Sequence, residues 1–150
     1  MKAIWAPPPW YAKPAPRILF VRQLAGLDDV RAVRERENPG GFNVSLTLHP
    51  QGVPERQVTI RFKGHNPIVF VDGPTESPHR YPDGSLCMWY PIDPPERRWT
   101  HNDGAGALVA NIAAHLVKEE WYRRTGEWKG EEVGHGDPDT VNDPKPVKSQ

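Results

Sequence analysis

Two stretches of the chain alternate apolar and polar residues with the two-residue period of a strand that is buried on one face. FNVSLTLH sets Phe42, Val44, Leu46 and Leu48 on one side, and QVTIRF sets Val58, Ile60 and Phe62 on one side. PIVFVDG is a third, more apolar run, closed by a turn at Asp72, Gly73 and Pro74. Short turns between such runs predict an antiparallel meander. Upstream, Arg17 to Glu37 fits two templates. RILFVRQLAGLDDV reads as a short helix with Ile18, Val21 and Leu24 on one face, and VRAVRERE reads as an alternating strand, giving about four strands in all.

The apolar face of that sheet needs a cover, and GALVANIAAHLVKEEWYRR supplies one. Leu108, Ile112, His115, Leu116 and Tyr122 fall close to an i, i+4 stripe, Asn102 or Asp103 can cap the start, and Gly126 sits where a helix stops. His115, on the apolar stripe, reads as a core histidine whose polar atoms are satisfied. The first sixteen residues, MKAIWAPPPWYAKPAP, read as an extended polyproline-like arm, since its five prolines remove amide donors from its middle and end. Its Trp5, Trp10 and Tyr11 either fasten it to the domain or face a partner. The domain itself is expected over 17–136, followed by a flexible tail over 137–150.

With 150 residues the chain is long enough for one domain with a proper core. Its 19 basic and 19 acidic side chains cancel, so no global field favours nucleic acid or an anionic membrane. No run approaches the about 20 apolar residues of a membrane span. One cysteine cannot form an internal disulfide, and the sequence shows no secretory leader, so a cytoplasmic protein is expected.

That cysteine, Cys87, is by composition alone a small hydrophobe of a kind usually found buried. Its surroundings argue for more. The segment Pro74 to Asp103 lacks regular periodicity yet is rich in large apolar residues, and so long a loop in a compact domain is usually functional. Pro82, Asp83 and Gly84 turn the chain just before LCMWY, which anchors it, an arrangement able to leave a thiol at the lip of a loop on rigid support. Cys87 with His79, His101 or His135 lacks the second close ligand pair of a structural zinc site, so no metal is expected. No Gly-rich phosphate loop is present, so no cofactor is expected and any ATP-dependent activation belongs to a separate protein.

The string SPHRYPDGSLCMWYP, then Trp99 in RRW, then a helix running into EEWYRRTGEWKGEEVGH, resembles the bacterial relatives of ubiquitin-conjugating enzymes. Among these it is similar to the stand-alone conjugating-enzyme-like proteins of CBASS-type antiphage operons, over roughly residues 40–136. The resemblance implies an α+β, UBC-like fold: an antiparallel meander, a long active-site loop and a C-terminal helix packed on the sheet. It implies that Cys87 accepts an acyl group as a thioester and that His79 holds the loop, as the histidine of the family's HPN motif does. Arg80 and Tyr81 stand where that motif has proline and asparagine, so the donor to the oxyanion is open among Asn102, His101 and a backbone amide. Arg80, Arg97 and Arg98 are candidates to supply positive charge to the thiolate. Asp83, Asp93 and His101 are candidates to assist the incoming amine. Trp99, Trp121 and Trp128 are expected to pin the loop by packing, and His135 closes the C-terminal motif.

The function this implies is an acyl carrier. Cys87 takes the C-terminus of a partner protein, a cGAS-like nucleotidyltransferase or a ubiquitin-like protein, with a separate activating enzyme, and passes it to a lysine amine. The alternative is an inactive UBC-fold scaffold in which Cys87 is inert.

Overall fold

The computed structural model describes residues 7–64, 66–74, 76–89 and 93–129. A 3-10 turn at Trp10–Ala12 leads into helix α1 (Pro14–Ala25). Strands β1 (Val30–Asn38), β2 (Gly41–Leu48), β3 (Arg56–Lys63) and β4 (Pro67–Val71) follow. Two further 3-10 turns, Pro95–Arg97 and His101–Asp103, precede helix α2 (Gly104–Thr125). The four strands form one antiparallel sheet in sequence order. Together these elements are the α+β, UBC-like architecture expected of the sequence.

Register follows from the turns. Asn38 pairs with Gly41, so the β1–β2 hairpin has the two-residue loop Pro39–Gly40, and Gly40 takes the positive φ of 83° that such a turn requires. Phe42 then lies opposite Phe62, and Val44 opposite Ile60. All four, with Leu46, Leu48 and Val58, point to one buried face, as their alternation predicts. Each such side chain removed from water contributes about 1.5–3 kcal/mol. Leu108, Ile112 and Leu116 of α2 and Phe20 and Leu24 of α1 complete the same cluster. Gly126 ends α2 in the left-handed conformation, its N–H bonding the Tyr122 carbonyl. Asp103 does not cap α2 with its side chain; it closes a capping box with Thr100 around the preceding 3-10 turn.

Two expectations are corrected. Helix α1 starts at Pro14, inside the stretch read as an extended arm, because a proline in the first helical turn gives up an N–H that has no partner there anyway. Its buried face carries Phe20 and Leu24 one turn apart, while Ile18 is 54% exposed. Trp10 and Tyr11 are fastened in cis. The Tyr11 hydroxyl donates to the Gly64 carbonyl at 2.9 Å, and Trp10 packs on Phe20 and Phe62. Trp5 and the tail 137–150 lie outside the described residues.

Candidate active site around Cys87

The segment that carries Cys87 is a miniature hairpin docked on the edge of the sheet. Gly84 N–H bonds the Tyr81 carbonyl and Tyr81 N–H bonds the Ser85 carbonyl, both at 2.8 Å, closing the turn that Pro82, Asp83 and Gly84 predict. Gly84 takes a φ of 93°. The Asp83 carboxylate accepts from the Ser85 N–H and hydroxyl at 2.9 and 2.7 Å, which holds its own pKa below the usual carboxylate range. Beyond the turn, Leu86 N–H bonds the Val69 carbonyl of β4, and Cys87 N–H bonds the His79 carbonyl, both at 2.9 Å. His79 therefore holds the cysteine through its backbone as well as by position.

Arg80 is the second anchor. Its guanidinium grips the Glu119 carboxylate of α2 with Nε and Nη2, at 2.8 and 2.9 Å. The same fork donates to the carbonyls of Val71 and Asp72 at the end of β4. Both charged side chains are almost fully buried, and the cost of that burial is offset by hydrogen bonds from all three guanidinium nitrogens. Arg80 ties loop, sheet and helix together, and its charge is spent on Glu119 rather than offered to the thiol.

Cys87 lies between two clefts of about 690 Å³ each, which share Met88 and Trp89 in their walls. The cleft that Cys87 itself lines is polar, with His79, Arg97, Arg98, His115 and Lys118 around it. The other is more apolar, with Ile68, Val69, Tyr81, Pro82 and Leu86 in its walls. The thiol is buried rather than displayed at a lip, at 3% exposure. Burial is the first cause that pushes its pKa up to about 11, and the Asp83 charge adds to it. The Tyr81 side chain hydrogen-bonds the sulfur and pulls the other way. None of the three arginines expected to supply charge contributes to that balance: Arg98 donates to the Asp93 carbonyl and the Asn66 side chain, and Arg97 is exposed.

The structure thus brings Cys87, His79 and Trp99 to the polar cleft, while Asp83 lines the other cleft, with its charge still acting on the thiol. Trp99 is buried, lines the polar cleft, and donates its indole N–H to the Gly104 carbonyl at 2.8 Å. It does not bring His101 or Asn102 there. The His101 ring stacks on Trp10 at 4.5 Å, Asn102 is exposed, and neither lines either cleft. His135 lies outside the described residues. Of the remaining tryptophans, Trp128 packs on His79 at 4.3 Å, while Trp121 is 43% exposed.

Two residues escaped the sequence reading. Tyr81 was noted only as a departure from a motif, yet its side chain reaches the sulfur. His115 was read as a satisfied core histidine, but its buried Nε2 has no hydrogen-bond partner among the described residues, in a cleft it shares with Cys87. Its pKa is lowered to about 4, first by burial, so the ring is neutral at neutral pH.

A four-stranded meander with a cysteine-bearing loop pinned between its edge and a C-terminal helix defines a conjugating-enzyme-like protein of UBC-like fold. The family model described as Type II CBASS E2 protein (E2-CBASS) matches residues 27–136, and the chain belongs to that family. No curated protein and no solved structure matches the chain. Membership places the protein in CBASS antiphage defence, as a conjugating-enzyme-type component acting with protein partners of a CBASS operon. Among the described residues no helix is long and apolar enough to cross a membrane.

Proposed function

We propose that Cys87 carries the C-terminus of a partner protein as a thioester and passes it to a lysine amine, as the acyl-transfer step of a CBASS operon. The observation that carries this reading is the placement of the chain's one cysteine. Cys87 lines a cleft, on a loop whose backbone is fixed by His79 and whose neighbour Arg80 is clamped to α2. Such support gives a nucleophile a defined position. The partner is a protein of the operon, a cGAS-like nucleotidyltransferase or a ubiquitin-like protein. A separate activating protein supplies the energised C-terminus from ATP.

The chemistry this asks of the chain is transfer between sulfur and nitrogen. The Cys87 sulfur displaces the activating group from the partner's carbonyl carbon; a lysine nitrogen then attacks that carbon and the sulfur leaves. A thiol with a pKa of about 11 is a weak nucleophile at neutral pH, so docking of the partner has to lower it. The test is to incubate the protein with its operon neighbours and ATP. An adduct on Cys87 that thiol reagents remove is expected. Cys87→Ser should give an ester that resists thiols, and Cys87→Lys a stable isopeptide. No adduct from any of the three sinks the reading.

The burial of Cys87 favours one second reading, in which the same fold is a scaffold and the thiol is inert. Full antiphage protection by Cys87→Ala would establish it, and loss of protection with the fold intact would exclude it.

A further inference from the structure

Acyl transfer through Cys87 passes through a tetrahedral carbon with a negative oxygen, and that oxygen needs a hydrogen-bond donor held in place beforehand. The donor must be polar, close to the sulfur and rigid. His101 is committed to Trp10, Asn102 faces solvent, and Asp83 can only accept once ionised. Arg80 is spent on Glu119 and two carbonyls.

Tyr81 meets all three conditions. Its side chain already hydrogen-bonds the Cys87 sulfur. Its backbone is fixed on both sides, with its N–H on Ser85 and its carbonyl on Gly84, each at 2.8 Å. The residue before it, Arg80, is the buried clamp to Glu119, and the Arg80↔Leu86 bridge spans the turn. A phenol set in that frame loses little conformational freedom when it takes up a new acceptor. The carbonyl oxygen of a thioester sits one bond away from the atom bonded to sulfur. A hydroxyl that reaches the sulfur in the free protein therefore reaches the acyl oxygen by a small rotation.

We propose that the Tyr81 hydroxyl is the donor that stabilises the oxyanion when an acyl group leaves Cys87 for an amine. The proposal rests on the thioester reading above. The lysine nitrogen bonds to the carbonyl carbon and the carbonyl π pair moves onto oxygen, where the Tyr81 O–H meets it. That pair then re-forms the C=O bond as the C–S bond breaks. The amine gives up one proton and the departing sulfur ends with one, so thioester and amine become amide and Cys87 thiol. Tyr81 stays protonated throughout.

The test separates loading from discharge. Cys87 is loaded either by the operon neighbours with ATP or by exchange with a synthetic peptide thioester, and discharge to free lysine is followed in a single turnover at pH 8. Tyr81→Phe is expected to load to the same end point and to discharge about 100-fold more slowly, as removal of one oxyanion donor does elsewhere. Thermal unfolding of the variant should stay close to that of the parent protein. A fluorinated tyrosine at position 81 gives a readout that packing alone would not move. Its discharge rate should fall as pH rises through the lowered phenol pKa, where the donor proton is lost, while ordinary tyrosine shows no fall there. Equal discharge by Tyr81→Phe and the parent, or one pH profile for both tyrosines, overturns the proposal. Failure of the parent protein to form any thioester overturns instead the reading on which it rests.

Discussion

His115 sits on the inner face of α2, 7% exposed, with Glu119, Lys118, Arg80 and His79 as the charged and titratable groups that act on it. Burial lowers its pKa first, the charges of His79, Arg80 and Lys118 lower it further, and Glu119 opposes them. The consequence for stability has a definite sign. Above pH 6.5 the ring is neutral in both folded and unfolded chains and adds no pH dependence. Between 6.5 and about 4 the unfolded chain takes up a proton that the folded one refuses, so stability falls as pH falls. At pH 5 the loss is about 2 kcal/mol. Replacing His115 by Met, which keeps the apolar packing, should remove most of the difference between the urea midpoints at pH 7 and pH 5. An unchanged difference would mean that other groups carry the acid sensitivity. The sequence could not show this behaviour, because an imidazole on an apolar stripe looks the same whether or not its nitrogen finds a partner. Tyr81 was hidden for a similar reason: its role comes from a turn that points one side chain at another.

At the level of elements, the parts of the fold that read directly were those where one physical rule acts alone. Strands β2 and β3 alternate cleanly because one face is buried, and α2 carries an i, i+4 stripe because it covers them. Helix α1 and strand β1 were ambiguous because rules compete there. Pro14 and Pro16 argue against a helix until they fall in its first turn. Strand β1 buries only Val30 fully, so its charged residues show no buried period. It is held instead by pairing to β2 and by Arg17 of α1 reaching Glu35 and Glu37. Of the candidate site, the turn before Cys87 was legible, but the burial of the thiol and the Arg80–Glu119 pair were not, the pair because it joins residues far apart in sequence. Its energetics can be measured. Glu119→Gln leaves a buried guanidinium without its counter-charge and should cost about 3 kcal/mol in urea unfolding. Arg80→Met combined with Glu119→Leu should cost less than the two single losses added together, since each single change strands a buried charge. Additive losses would mean that Arg80 is held mainly by the Val71 and Asp72 carbonyls.

Across the whole molecule, an aromatic network connects the N-terminal turn to the wall of the polar cleft. Trp10 lies 5.1 Å from Phe20, 5.3 Å from Phe62 and 6.4 Å from Trp99, and Trp99 in turn lines the cleft beside Cys87. Two routes can therefore expose the buried thiol. In global unfolding the network melts with everything else. In local opening only the loop lifts off β4 and α2, to which the Arg80 clamp, the Leu86–Val69 bond and the Phe70↔Ser85 bridge hold it. Trp10→Ala tells the routes apart. Removing this half-buried indole should cost about 3 kcal/mol, at the low end for such a truncation. Were Cys87 reached only through global unfolding, its alkylation by iodoacetamide at pH 8 would then rise about 100-fold. We expect a change of less than about 3-fold in Trp10→Ala and a clear acceleration in Glu119→Gln, since only the second loosens the loop itself. The opposite pattern would make the cleft a rigid part of the core. A partner would then have to unfold the protein to reach Cys87, which is incompatible with the proposed cycle of loading and discharge on a standing fold.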